Sequence, residues 1–184
     1  MWTVVEIHIK GDKSIDLMII DKTIRQLINQ YGPNTNWTFY RFAENKINDI
    51  NSSHGIQFKI ENVTIHKIKK QIDKNNTINQ LSENGYIQEI NYYEKISIAD
   101  PVWPLEMRQN WHFLANGFCK FILGLIQYHI ITNKVNLSNN IEDRICEYKE
   151  INKEISKLYN NWSNHAFFHH ISAIFGYEKT HIIF

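Results

Sequence analysis

Apolar and polar residues alternate at the start of the chain: Val5, Ile7 and Ile9 interleave with Glu6, His8 and Lys10, which predicts a strand with one buried face. Gly11-Asp12-Lys13 ends it. From Asp21, taken as the N-cap, Ile24, Leu27, Ile28 and Tyr31 share one helical stripe, and Gly32-Pro33 is the stop. Trp37 to Phe42 is rich in aromatics and predicts a second strand, with a polar, Asn-rich loop over Glu44 to Ser53. A third strand follows, with Ile56, Phe58 and Ile60 on one face and Gln57, Lys59 and Glu61 on the other. Ile65, Ile68 and Ile72 predict a second helix, Asp73 to Thr77 a break, and Tyr86 to Ile98 a fourth, longer strand. The order βαββαβ is the ferredoxin-like arrangement.

The second half changes period. Pro104 suits a first helical turn, and Leu105, Trp111, Leu114, Phe118, Phe121, Ile122 and Leu125 carry a helical stripe to about Ile131. Ile141, Ile145, Tyr148, Ile151, Ile155 and Tyr159 step by threes and fours in a second long helix. Ser163 or Asn164 could cap a third, short helix ending at Gly176. The fold class expected is α+β in a single domain over 1–184, with a sheet-forming half over 1–100 and a helical half over 101–184.

Composition narrows the classes. A chain of 184 residues can bury a core without disulfides, so Cys119 and Cys146 are read as small buried hydrophobes in a reducing compartment. The net charge of +1 argues against a nucleic-acid partner, and the run His66-Lys67-Ile68-Lys69-Lys70 reads as a solvated helix face. Met1-Trp2 leads straight into a strand pattern, and the apolar stretch Phe118 to Ile131 is too short for a membrane span. A cytoplasmic location is the expectation.

No P-loop, GxGxxG, HExxH, GxSxG or CxxC pair occurs, so no cofactor is expected. His165 and His169 lie four apart on a predicted helix, but no third ligand accompanies them and no metal is expected. Arginine is scarce, with only Arg25, Arg41, Arg108 and Arg144, so a forked, permanent cation must come from one of these four.

The segment Trp37-Thr38-Phe39-Tyr40-Arg41-Phe42-Ala43-Glu44, followed by His54-Gly55-Ile56-Gln57-Phe58-Lys59, resembles the C-terminal domain of lantibiotic dehydratases and the related thiopeptide-type bacteriocin biosynthesis proteins. In that family a strand ends in aromatic-x-Arg-aromatic, and the next begins with His and carries alternating basic residues. Trp2, Tyr92-Tyr93-Glu94, His112 to Gly117 and His169 to Gly176 extend the resemblance along most of the chain.

The resemblance implies maturation of a ribosomally made precursor peptide, by glutamate elimination or by cycloaddition of dehydroalanines, without a redox cofactor. Elimination needs a base for the α-proton and a cation for the leaving carboxylate. On this reading Arg41 and Lys59 supply cations, His169 or His170 moves the proton, and Tyr40, His54, Gln57 and Glu94 contact the peptide. The chain departs from the family in carrying Gln57 and Lys59 where the relatives alternate arginines, Ser172-Ala173 where they carry Asn-Arg, and no Arg-Tyr-Gly-Gly stretch.

Those departures motivate a second reading, a non-catalytic module that binds the precursor peptide or a partner biosynthetic enzyme. A third is an unrelated ferredoxin-like binding protein. The structural alternatives are an Arg41 paired with Glu44 or Glu61, a His54 in a surface turn, and a solvated Glu94.

Overall fold

The computed structural model describes residues 1–43, 54–97, 99, 101–133, 135 and 137–163. Strands β1 (Trp2–Ile9), β2 (Trp37–Ala43), β3 (His54–Glu61) and β4 (Ile87–Lys95) form one antiparallel sheet in the order β2-β3-β1-β4. With helical segments between β1 and β2 and between β3 and β4, this is the ferredoxin-like topology, followed by α5 (Leu105–Thr132) and α6 (Ile141–Ser163). The α+β reading holds, with a helical C-terminal half.

The first crossover begins earlier than the apolar stripe predicts. Helix α1 (Ile15–Ile19) runs through a π-helical turn (Ile20–Ile24) into α2 (Arg25–Tyr31), so Asp21 lies inside the helical run rather than at its cap. The chain turns into α1 where the Ser14 amide donates to Asp12 Oδ1 at 2.9 Å. Ile15, Leu17, Met18, Ile19 and Ile20 are all fully buried, because α1 is enclosed between the sheet and α6, where Ser14 Oγ donates to the Ile145 carbonyl at 3.4 Å. A helix covered on every side shows no stripe, and periodicity detects only its half-exposed continuation.

Helix α3 (Ile65–Ile72) keeps Ile68 and Ile72 inward and its basic residues outward, as expected. The predicted break at Asp73 to Thr77 is shorter: α4 (Asn76–Glu83) starts within it, capped by Asn75 Oδ1 accepting from the Ile78 amide at 3.0 Å. Strand β4 is shorter than predicted at both ends. Pro104 stands at the cap position of α5, and Ser163 is the last residue of α6. The short helix expected over 164–176 lies outside the described residues.

One core joins both halves: Phe58, Ile7 and Ile24 share a cluster with Cys119 and Ile126 of α5 and with Tyr148 and Ile151 of α6. Cys146, expected inside, is exposed. Helix α5 crosses the outer edge of β2 and satisfies its backbone with side chains. Asn116 Nδ2 donates to the Trp37 carbonyl at 2.8 Å, and Cys119 Sγ accepts from the Phe39 amide at 3.2 Å. Helix α5 spans the stripe expected from Leu105 to about Ile131, and its 28 residues, unlike the shorter stretch Phe118 to Ile131, could by length and composition alone cross a membrane.

Candidate functional site

Strand register decides which candidates can meet. Across the sheet the aligned sets are Thr38, Lys59, Val4 and Tyr93; then Tyr40, Gln57, Glu6 and Asn91; then Phe42, Gly55, His8 and Glu89. All project to the face away from α1, because their neighbours Phe39, Phe58, Val5 and Ile7 form the core on the other side. Arg41 pairs in register with Ile56, so it and His54 belong to the core face. Arg41 and Lys59 therefore cannot act on one atom, contrary to the expectation from the sequence, which ignored the alternation between adjacent strands.

On the core face, Arg41 is occupied. Its Nε donates to Asp16 Oδ2 at 3.2 Å, Nη1 to Asn152 Oδ1 at 3.2 Å and Nη2 to the Lys13 carbonyl at 2.9 Å. The partner is Asp16 of α1, not Glu61; Glu44, the other expected partner, lies outside the described residues. The guanidinium is a third exposed at 33% and borders an apolar cleft of about 360 Å³ between β2, α1, α5 and α6. His54 is buried in β3 rather than set in a surface turn, with Nδ1 2.7 Å from Asp16 Oδ1 and Nε2 3.2 Å from the Gly11 carbonyl oxygen. Asp16 is 3% exposed and holds both side chains in place. This triad ties α1 to β2 and β3, and its geometry is that of a structural clasp.

Glu94, at the far end of the core face beside Thr3, is exposed and remote from that clasp. His169 and His170, like His165, lie outside the described residues. The proton-transfer role given to the tail is thus placed neither beside Arg41 nor away from it.

The opposite face brings together three of the expected residues: Tyr40, Gln57 and Lys59. The Lys59 ammonium stands 4.6 Å from the centre of the Tyr40 ring, and its side chain emerges between the fully buried Val4 and Thr38. Burial, then the like charge of Lys95, pulls the amine down to about 8 against the opposing pull of Glu6. Tyr40 is set by Trp111 of α5, whose Nε1 donates to its hydroxyl at 2.8 Å.

Beside this pair lies a network that sequence reasoning missed. Tyr93 Oη donates to Glu6 Oε1 at 2.6 Å, while Gln57 Nε2 donates to Glu6 Oε1 and, at 3.0 Å, to Tyr93 Oη. Burial raises the Glu6 carboxyl, but the bonds from Tyr93 and Gln57 and the charges of His8 and Lys95 outweigh it and hold the group below its ordinary range. Tyr93 is pushed up to about 12, by burial first and by Glu6 second. Glu6, His8, Tyr40, Phe42 and Gln57 line an open groove of about 310 Å³. Its floor depends on Gly55, where an added Cβ would lie 2.1 Å from the Ile7 carbonyl oxygen and 2.9 Å from Phe42 Cζ. The absence of a Cβ at Gly55 lets Phe42 lie over the strand and meet His8 edge-on at 5.4 Å. The alternation in β1 could have flagged Glu6, since a residue opposite the core of a central strand shares its face with Lys59. Asp16 too carried a signal: a carboxylate inside an apolar run must be paired.

Among the described residues no cluster of His, Cys, Asp and Glu could hold a metal ion. No family model matches the chain, and no curated protein matches it. Two designed proteins are similar in structure. The de novo designed protein Ferredog-Diesel is 10% identical with a TM-score of 0.32, over 51% of this chain and 85% of its own. The de novo designed protein LFR1 1 with ferredoxin fold is 18% identical with a TM-score of 0.35, over 56% of this chain and 95% of its own.

Proposed function

We propose that this chain holds an extended segment of a ribosomally made precursor peptide in the groove on the face of its sheet away from α1, as a binding module in peptide maturation of the bacteriocin or thiopeptide type. The observation that carries the binding reading is the convergence of Lys59, Tyr40, Gln57, Glu6 and Tyr93 on one groove-bearing face. Such a face offers a ring to pack on, an ionised carboxylate and amide groups, the mixture a peptide main chain and its side chains need. The pathway comes from the sequence resemblance around Arg41 and His54.

A binding role ranks ahead of glutamate elimination because Arg41, the cation elimination would use, is engaged by Asp16, Asn152 and Lys13. One observation favours the enzymatic alternative, a lyase or cyclase: Lys59, with its amine near 8, is partly unprotonated at mildly alkaline pH and could accept an α-proton. A common experiment separates the two. A labelled synthetic leader–core peptide carrying Ser, Thr and glutamylated Ser is titrated against the protein by fluorescence anisotropy, and the mixture is analysed by mass spectrometry for loss of glutamate or water. The module predicts binding without mass change, weakened about tenfold in the Tyr40→Ala variant. Turnover would establish the enzyme, and no binding in any substrate state would defeat both.

A further inference from the structure

We infer that the outward face of α5 pairs with the same face of a second copy of this chain, the two helices antiparallel and related by a two-fold axis level with residue 119. The inference stands apart from the peptide reading and uses none of its residues.

Helix α5 buries Ala115, Cys119, Leu123, Ile126 and His129 against the rest of the chain. Another row, Met107, Leu114, Phe121 and Tyr128, steps by seven along the side turned away and is 46% to 60% exposed. Interleaved with it, Asn110, Gly117, Gly124 and Ile131 also step by seven, and all four are exposed. Spacings of three and four that repeat every seven residues make the seam by which one helix packs along another. Here that seam faces out.

The glycines sharpen the argument. Gly117 and Gly124 have ordinary helical backbone, and among the described residues no atom lies within 4 Å of a Cβ added at either. Glycine weakens an exposed helix relative to ordinary side chains, so neither a turn nor a close approach among the described residues accounts for it. A close approach from outside does.

An antiparallel copy fits by shape, because it sets the bulky row of each helix against the small row of the other. Phe121 of one copy meets Gly117 of the other, Leu114 meets Gly124, Tyr128 meets Asn110 and Met107 meets Ile131. The contact is self-complementary, as a two-fold interface must be. A parallel pair in register would instead set glycine on glycine and Phe121 on Phe121, leaving gaps and collisions in alternate layers.

The area suffices. At about 200 Å² for a whole large side chain, the exposed parts of Met107, Phe113, Leu114, Phe121, Tyr128 and Ile131 amount to roughly 700 Å² per copy, near the ~800 Å² each partner gives to a specific interface. Between Gln109 and Thr132 the only Asp, Glu, Lys or Arg is Lys120, which borders the seam, where its stem lets the ammonium reach water. A bilayer would also cover an apolar face, but lipid gains nothing from the glycine depressions, and a surface-lying helix carries a row of basic residues where α5 has this one.

Sedimentation equilibrium of the full chain from about 1 to 100 μM tests the pairing. The mass should rise with concentration from the 21.9 kDa of one chain toward twice that value. Phe121→Glu puts a charge in the seam, and Gly124→Leu fills a depression while favouring the helix. Each should weaken association by about tenfold or more with the helical circular dichroism unchanged. Gly124→Leu is the stricter variant, because it adds apolar surface and would strengthen a face that was merely adhesive. A wild type that stays monomeric throughout, or association left unchanged or tightened by Gly124→Leu, overturns the inference. So does a monomer that floats with vesicles of phosphatidylcholine and phosphatidylglycerol, which would assign the face to a membrane. The peptide titration reads out separately, so either result leaves the peptide reading untouched.

Discussion

The two faces of the sheet carry the same kinds of residue and use them in opposite ways. On the core face a cation, Arg41, and a ring, His54, are locked around one buried carboxylate, Asp16, and both are hydrogen-bonded to it. On the opposite face a buried cation, Lys59, rests on an aromatic ring while the nearby carboxylate, Glu6, is bound instead by a phenol and an amide. Closed charge satisfaction holds a fold together; incomplete satisfaction leaves chemistry available to a ligand. The contrast explains why the arginine that dominates the sequence motif is the poorer site residue.

The comparison can be broken most severely at Gly55, whose backbone pairs β3 with both β1 and β2. Gly55→Ala puts a methyl group 2.1 Å from the Ile7 carbonyl oxygen, a backbone atom that cannot move without opening the ladder between β1 and β3. A loss of about 4 kcal/mol, or failure to fold, is expected in urea denaturation. Next comes Asp16→Asn, which strands the buried His54 and the Arg41 guanidinium. It should cost about 3 kcal/mol by the same measurement.

The opposite face should respond with the other sign. Lys59→Met keeps the stem and removes the buried charge, so a gain of about 1–2 kcal/mol is expected at pH 7. The folded-state pKa of Lys59 is lowered, to about 8 from an ordinary value of 10.5, so between these values the unfolded chain holds more protons. Wild-type stability from this group therefore rises as pH climbs through that window, and the advantage of Lys59→Met should fade toward pH 10. Denaturation midpoints at pH 7 and pH 10 check this directly. A loss at pH 7 would show that Lys59 serves the fold as Asp16 does.

Much of the fold was legible because it follows from period. Val5, Ile7 and Ile9, or Ile56, Phe58 and Ile60, alternate cleanly, and a sheet with one covered face requires that. What escaped was structure without period: α1, enclosed on all sides, and α4, rich in Asn76, Thr77, Asn79 and Ser82, weak helix formers held by the Asn75 cap. The site was half legible for a related reason. Tyr40, Gln57 and Lys59 could be named as a group, but register between strands is a tertiary fact. Only register separates Lys59 from Arg41 and joins it to Glu6 and Tyr93, which lie 53 and 34 positions away in the chain.

The direct test of a ligand site on the face away from α1 is amide hydrogen exchange of the full chain with and without the synthetic leader–core peptide, resolved to individual strands. Protection is predicted along Glu6 to His8, Gln57 to Lys59 and Asn91 to Tyr93, with Ser14 to Leu17 unchanged. Protection confined to Ser14 to Leu17 and the Arg41 end of β2, leaving the central strands unaffected, would contradict it and return the site to the arginine.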